Sequence, residues 1–326
     1  MENIRFYKVM TGIVAGLCAV VIGMAITSIA HIAPYLSFFL GCFISLPIFI
    51  AAFGWGTLSS FVALISATVV LGIVHNIYIG LGFMLLFFLP ALYASWLLGL
   101  AQPVPEKKSL MWYPLSSVIF LLTNLIAFMS TIIGAYIQTD PATPIIAKEI
   151  TENIAQTIRQ SQSIRETDIL AFSELLMTHA ATLTAIALTV YSLIFLISNI
   201  YFSMITARYM KWLNRPHDDW KKTFRLPFSG LIIFIIACCA SMIEFGSIFN
   251  LGARVFTTAY TVILSISGLA YLHNMTKGVS GRIIILSLVY IALLTVVFAP
   301  PISFMMLLMG IWATIQYSKQ SRDELR

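Results

Sequence analysis

Charged residues are missing from a long stretch near the start of this chain. Between Lys8 and Glu106 the sequence contains no Asp, Glu, Lys or Arg, and its only histidines there are His31 and His75. A soluble domain needs charged and polar side chains over its surface. A charge-free run of this length therefore excludes a soluble domain. Side chains that face hydrocarbon or another helix need no charge, and the stretch therefore predicts several membrane-spanning helices.

Signatures of soluble enzyme chemistry are also missing. The sequence has no phosphate-binding G-x-x-x-x-G-K-[ST] motif, no H-E-x-x-H zinc motif and no G-x-S-x-G nucleophile turn. Its four cysteines all lie in apolar runs, without metal-ligand or disulfide spacing, and are predicted to be packing residues. We therefore expect neither an enzyme nor a cofactor or metal site.

The residues that are present agree with a membrane protein. Of the 326 residues, 60% are hydrophobic and 10% are charged, whereas about 25% are charged in soluble domains. The apolar runs predict an all-α, polytopic transmembrane bundle of about ten spans. Pro300 and Pro301 break the last run into two short spans, the alternative being one kinked helix. The predicted spans are Val9–Ala30, Pro34–Phe53, Leu58–His75, Gly80–Leu100, Trp112–Tyr136, Leu175–Tyr201, Pro227–Ile243, Arg254–Tyr271, Ile283–Ala299 and Ile302–Tyr317.

The distribution of basic residues predicts the orientation. With both termini in the cytoplasm, fifteen of the nineteen Lys and Arg fall on the cytoplasmic side, as the positive-inside rule requires. The excess of positive charge then reflects topology and lipid attraction and predicts no nucleic-acid partner. We divide the chain into a five-helix core (1–137), an external loop (138–174) and a C-terminal membrane region (175–326). The expected location is a bacterial cytoplasmic (inner) membrane.

Two loops are large. The external loop predicts a helix that starts at Thr143–Pro144 and carries an apolar stripe of Ile146, Ile150, Ile154 and Ile158. This helix is either a lid on the membrane surface or a connector packed on the helix ends. The basic cytoplasmic loop, within 206–226, is either an anchor for anionic lipid or a docking surface for a partner protein.

Polar residues at the external helix ends form the candidate ligand site. Glu244 and Arg254 flank a short hairpin and either pair with each other or line a pocket open to the outside. The proposed lining is His31, His75, Asn76, Glu244, Asn250 and Arg254, although ordinary helix ends that meet water give the same pattern. Asn124 and Asn199 lie deeper and are predicted to form hydrogen bonds between helices.

Small residues on the first span form a candidate partner contact. Gly12 and Gly16 are four residues apart, as are Ala15 and Ala19, so each pair lies on one face of the helix. Such faces let a second backbone come close. That backbone belongs either to a partner subunit or to another helix of this chain.

Four segments carry a resemblance to a known family. They are SLPIFIAAFGWGTLSSFVALISATVVLGI, GFMLLFFLPALYASWLLGLA, TARYMKWLNRPHDDWKKTFRLP and the C-terminal PPISFMMLLMGIWATIQYSKQSRDELR. They resemble the YybS-like bacterial membrane proteins, a family of unknown function. Its architecture is related to the S components of energy-coupling-factor transporters and, more distantly, to MreD-like envelope scaffolds. The resemblance implies an S-component-like N-terminal core, and Ala15 and Ala19 match the placement of the motif that contacts the coupling subunit. Ten spans in place of six, and the lack of a vitamin-pocket motif, depart from that pattern.

Two functions follow as expectations. The first is a non-enzymatic, S-component-like subunit that binds or transports a small molecule, with a transporter coupling subunit as its partner. The second is a cell-envelope scaffold or membrane-assembly protein without transport activity. In both cases membrane lipid surrounds the chain.

Overall fold

The computed structural model describes residues 2–30, 32–104, 109–160, 166–295 and 298–323. In these residues the chain is a bundle of α-helices with one two-stranded hairpin, which confirms the predicted all-α polytopic fold. The elements are α1 (Glu2–Ile29), α2 (Pro34–Gly41), α3 (Leu46–Trp55), α4 (Thr57–Val74), α5 (Ile77–Phe83), a π-helical turn (Met84–Phe88), α6 (Leu89–Leu98), β1 (Ala101–Val104), β2 (Ser109–Trp112), α7 (Leu115–Thr139), α8 (Thr143–Gln160), α9 (Glu166–Tyr209), α10 (Trp220–Thr223), α11 (Phe228–Ser241), α12 (Ser247–Met275), α13 (Arg282–Leu294) and α14 (Ala299–Asp323).

Eight helical segments of the described chain are long and apolar enough to cross a membrane. Two shorter apolar helices, Phe228–Ser241 and Arg282–Leu294, complete a set that coincides with the ten predicted spans. Pro300 and Pro301 lie in the first turn of α14, where a missing N–H leaves no hydrogen bond unmade. Since α13 already ends at Leu294, the last apolar run forms two helices and not one kinked helix. The eight long segments are Asn3–Ile29, Pro34–Trp55, Thr57–Val74, Ile77–Leu98, Leu115–Thr139, Glu166–Tyr209, Ser247–Met275 and Ala299–Lys319.

The hairpin between α6 and α7 departs from the predicted loop. β1 pairs with β2 in antiparallel register, with Ala101 opposite Trp112. Trp112 is therefore the last residue of a strand and not the first of a span, and α7 begins after Pro114. Four-residue strands that contain a proline carry too little alternation of polar and apolar residues for the sequence to reveal them.

The predicted external loop is mostly helical. α8 begins at Thr143, as predicted, and α9 begins at Glu166, nine residues before the predicted sixth span. α8 contacts α9, and its buried residues are small ones, Ala147, Thr151 and Ala155. The predicted stripe points elsewhere, because Ile146, Ile150 and Ile154 are exposed; the side chain of Ile158 lies outside the described residues. Contact with α9 favours the packed connector, since close helix packing selects small residues.

One end of the bundle gathers the basic segments and is called the basic end below. It comprises the first turns of α1, the turn at Gly56, the β1–β2 hairpin, residues 210–227, the turn 276–281 and the last turns of α14. Side-chain contacts join these segments: Thr11 Oγ1 to Ser59 Oγ (3.0 Å), the rings of Trp55 and Trp212 (4.9 Å), Arg215 Nη1 to the Tyr113 carbonyl (2.8 Å), Lys277 Nζ to Asp219 Oδ2 (3.3 Å) and Tyr271 Oη to Gln316 Oε1 (3.2 Å).

The other end of the bundle, called the opposite end, holds the remaining turns. The end of α1 meets the end of α4 there through Thr27 and His75, and the rings of Tyr78 and Tyr136 stack with centroids 6.1 Å apart. The turns after α7 and α11 lie at this end as well. The two ends are thus separated by the length of the long apolar helices.

The closest helix crossing in the C-terminal half joins α12 to α14. A Cβ atom added at Gly268 would overlap the carbonyl oxygen of Met306, and one added at Gly310 would overlap that of Leu264. The two backbones therefore touch directly, as small residues allow in membrane helices. This crossing fixes the walls of the cavity described below.

Candidate functional site

The predicted external residues on α4 and α5 serve as helix ends. His75 follows the last residue of α4, and its Nε2 lies 3.2 Å from Thr27 Oγ1. Asn76 caps α5, because its Oδ1 accepts a hydrogen bond of 2.8 Å from the Ile79 N–H. His31, the third member of this group, lies outside the described residues. Local capping accounts for the amide at position 76.

The other three residues of the predicted ligand site, Glu244, Asn250 and Arg254, lie in or beside the α11–α12 turn. The Oδ1 atom of Asn250 accepts a hydrogen bond of 3.4 Å from the Phe245 N–H across the α11–α12 turn. Glu244 is exposed in that turn and Arg254 is half-buried, and the two form no ion pair within 4.0 Å. None of His75, Asn76, Glu244, Asn250 and Arg254 lines a cavity reported below.

The small-residue face of α1 is turned towards α4 of the same chain. A Cβ atom at Gly12 would press on the Ser59 carbonyl, and one at Gly16 would overlap the Ser66 hydroxyl. Ala19 is fully buried, and Ala15 is half-buried beside an apolar groove between α1 and α3. Internal packing thus occupies Gly12, Gly16 and Ala19, and only Ala15 keeps a face that a second protein can reach.

Asn199 links α9 to two irregular segments in the middle of the bundle. The second span is interrupted at residues 42–45 between α2 and α3, and the fourth contains the π-helical turn. The Asn199 Oδ1 accepts from the Ser45 N–H (3.1 Å), and its Nδ2 donates to the Gly41 carbonyl (3.4 Å). Ser45 in turn donates from Oγ to the Phe87 carbonyl of the π turn (3.0 Å). The deep asparagine is therefore an interhelical partner, as is Asn124, which accepts from the Tyr260 hydroxyl.

A polar cavity of about 370 Å³ opens at the basic end. It lies between the α10–α11 connection and the C-terminal ends of α12 and α14, which cross at Gly268 and Gly310. Within the described part of the chain, no carboxylate lines it. The lining residues are Lys222, Arg225, Tyr271, Asn274, Ala313, Gln316 and Tyr317.

Arg225 is the central group of this cavity. Only 5% of the residue is exposed, yet no carboxylate of the described chain lies within 4.0 Å of it. Its guanidinium donates to the carbonyl oxygens of Phe224 (2.7 Å), Ser267 (3.4 Å) and Lys221 (2.8 Å). These bonds use at most three of the five N–H donors of an arginine.

Electrostatics make this position receptive to an anion. Burial lowers the pKa of the Arg225 guanidinium, and the neighbouring Tyr271 partly offsets that effect. An arginine nevertheless stays charged in a protein, so the cavity wall carries a buried cation. Among the described residues, its compensating partners are carbonyl dipoles and the Tyr271 ring, 5.4 Å away. A carboxylate or phosphate group fits the fork of such a guanidinium.

The neighbouring loop is rigidly built. Arg215 is buried and forms a two-pronged ion pair with Asp218, Nε to Oδ2 at 2.6 Å and Nη2 to Oδ1 at 3.2 Å. Its Nη1 also donates to the Tyr113 carbonyl at the hairpin. Asp219 pairs with Lys277; burial acts to raise the pKa of this carboxyl, but the hydrogen bond and charge of Lys277 bring it below its ordinary value. In the described part of the chain, no group of three His, Cys, Asp or Glu side chains is placed to hold a metal ion.

No protein-family model, curated protein or solved structure matches this chain. The resemblance to the YybS-like proteins therefore stays a prediction.

From the sequence, Arg225 is predicted only to belong to the basic loop, as part of a lipid anchor or of a docking surface for a partner protein, and its burial is not predicted. Its position directly before Leu226–Pro227, at the start of a helix, is the signal that sets it apart from Lys221 and Lys222. A basic residue next to a fully buried leucine is carried into the bundle, since Leu226 is 0% exposed.

Proposed function

We propose that this chain is a membrane-embedded binding protein without enzymatic activity that holds a small anionic molecule in the basic-end cavity. The observation that carries the proposal is the buried Arg225 guanidinium, which faces a polar cavity and has no carboxylate partner among the described residues. A buried charge without a counter-charge is costly, so a bound anion would stabilise the folded protein.

The distribution of charge supports a cytoplasmic location for the basic end. By the positive-inside rule, both termini and the cavity would then face the cytoplasm of a bacterial cell. The proposed role is the S-component-like binding role that the resemblance implies, with a transporter coupling subunit as partner. The ligand site, however, is at the basic end and not among the predicted external residues. Ala15 is the remaining candidate for the partner contact.

Removal of the Arg225 charge tests the proposal. We expect inorganic phosphate to raise the thermal unfolding temperature of the purified full chain, and Arg225→Gln to weaken that phosphate dependence at least about tenfold, because hydrogen bonds to charged groups are lost. Lys222→Gln, at an exposed position of the same cavity, should weaken it by only about two- to fivefold. The measurement is a thermal-shift titration with phosphate in detergent.

Arg254→Gln is the matched control, because it removes the same charge at the opposite end. Its phosphate response should equal that of the wild type. The proposal fails if Arg225→Gln and Lys222→Gln both respond like the wild type. A response lost in Arg254→Gln alone would instead favour the external pocket. Lys222→Gln keeps the test valid if Arg225→Gln does not fold.

An envelope scaffold is the second candidate, and the contacts of the basic loop favour it. The Arg215–Asp218 pair and the Tyr113 contact tie the loop to the β1–β2 hairpin, which suits a docking surface. Affinity capture followed by mass spectrometry separates the two. An ATPase-bearing transporter module supports the binding subunit, whereas division or cell-wall proteins support the scaffold.

A further inference from the structure

Two adjoining apolar cavities form a groove on the surface along α9 and α12. Its deeper part, about 320 Å³, is lined by residues that include Val190, Ile194, Thr261 and Met306. Its shallower part, about 230 Å³, reaches Tyr201 and His273 at the basic end. Ile266 and Leu269 line both parts, so the two cavities follow one another from the middle of the bundle to that end.

The groove has the length of one lipid leaflet. From Val190 to Tyr201 it follows α9 for eleven residues, which is about 16 Å of helix. Half of a hydrocarbon core of about 30 Å is about 15 Å. An extended acyl chain therefore fits between the two helices, with its head group at the basic end.

The basic end of the groove suits a negatively charged head group. Lys221 lines it together with Trp220, whose ring meets Tyr201 edge-on at 5.3 Å and stacks on Phe224 at 5.7 Å. Among the residues that the structure describes, no acidic side chain lines this part, and the nearby Asp219 is engaged by Lys277. Aromatic rings beside cations are typical of the head-group level of a membrane.

We propose that this groove binds one anionic phospholipid of the leaflet at the basic end, with an acyl chain along Ile266 and Leu269 and the phosphate beside Lys221. The site differs from the proposed ligand cavity, since Lys221 faces the α9 side of the α10 segment and Arg225 the α14 side. Either proposal can fail while the other holds.

Native mass spectrometry of the full chain tests the lipid site. The protein is released from detergent that contains equal amounts of phosphatidylglycerol and phosphatidylcholine. We expect the wild type to retain phosphatidylglycerol preferentially and Lys221→Gln to reduce that preference by about fivefold, the effect of one basic residue at a lipid surface. Lys319→Gln, an exposed lysine at the same end, is the control and should leave the preference unchanged.

Leu269→Trp tests the acyl-chain part, because the larger ring fills the channel where its two parts meet. We expect fewer retained lipids of both kinds at an unchanged unfolding temperature. The proposal is overturned if Lys221→Gln and Lys319→Gln behave alike, or if a second copy of the chain is retained in place of lipid. Full lipid retention by Leu269→Trp overturns it as well.

Discussion

Gly268→Ala is expected to destabilise the folded protein by about 3 kcal/mol, near the upper end of the usual range for overpacking. The added methyl group meets the backbone carbonyl of Met306, and a backbone atom cannot turn away as a side chain can. α12 and α14 must then separate along the whole crossing. Thermal or denaturant-induced unfolding of the purified chain in detergent measures the loss.

Two further variants sharpen this test. Gly310→Ala meets the Leu264 carbonyl at the same crossing, so the double variant should lose less than the sum of the two single losses. Gly82→Ala is the matched control, because a Cβ there has no neighbour within 4 Å and alanine favours a helix. Equal stability of Gly268→Ala and Gly82→Ala would show that the two helices do not touch.

Asn199→Leu is expected to destabilise the chain by about 2–3 kcal/mol, because it leaves a buried backbone donor without an acceptor. The Ser45 N–H lies in the interruption between α2 and α3, and the Asn199 Oδ1 is its acceptor. Leucine has a similar volume, so the loss reports hydrogen bonding more than packing. The measurement is again the free energy of unfolding in detergent.

Ser198→Ala is the control for that prediction. Its hydroxyl donates to the Ile194 carbonyl of its own helix, which keeps its own helical bond, and its contact with the Cys42 thiol involves no backbone group of the interruption. We expect its effect to stay within about 0.5 kcal/mol. If Asn199→Leu were no more destabilising than Ser198→Ala, the interruption in the second span would not depend on the asparagine.

The spans themselves were readable from the sequence because lipid imposes a local rule. Each crossing needs about twenty apolar residues in a row, and this rule involves no contact between distant residues. Local patterns also predicted two helix boundaries. The proline pair predicted the break near Pro300, and Thr143–Pro144 predicted the start of α8.

The interruption at residues 42–45 was not readable, because its hydrogen bonds depend on a residue 154 positions away. The sequence predicts that Asn199 forms a hydrogen bond between helices, but no local pattern predicts that its partner is Ser45. The same limit applies to the candidate site. The sequence does not distinguish the three basic residues Lys221, Lys222 and Arg225. In the folded chain, Lys222 and Arg225 line the polar cavity and Lys221 lines the groove, because the neighbouring helices pack differently on each side.

Cysteine labelling in intact cells tests whether a membrane separates the basic end from the opposite end. The four native cysteines are replaced by alanine, and Ser280→Cys or Glu244→Cys then places one thiol in an exposed turn at each end. A membrane-impermeant maleimide should label Glu244→Cys in intact bacterial cells and Ser280→Cys only after the membrane is permeabilised. Labelling of both positions in intact cells would show that no membrane separates the two ends. Labelling of Ser280→Cys alone would show that the basic end faces the outside.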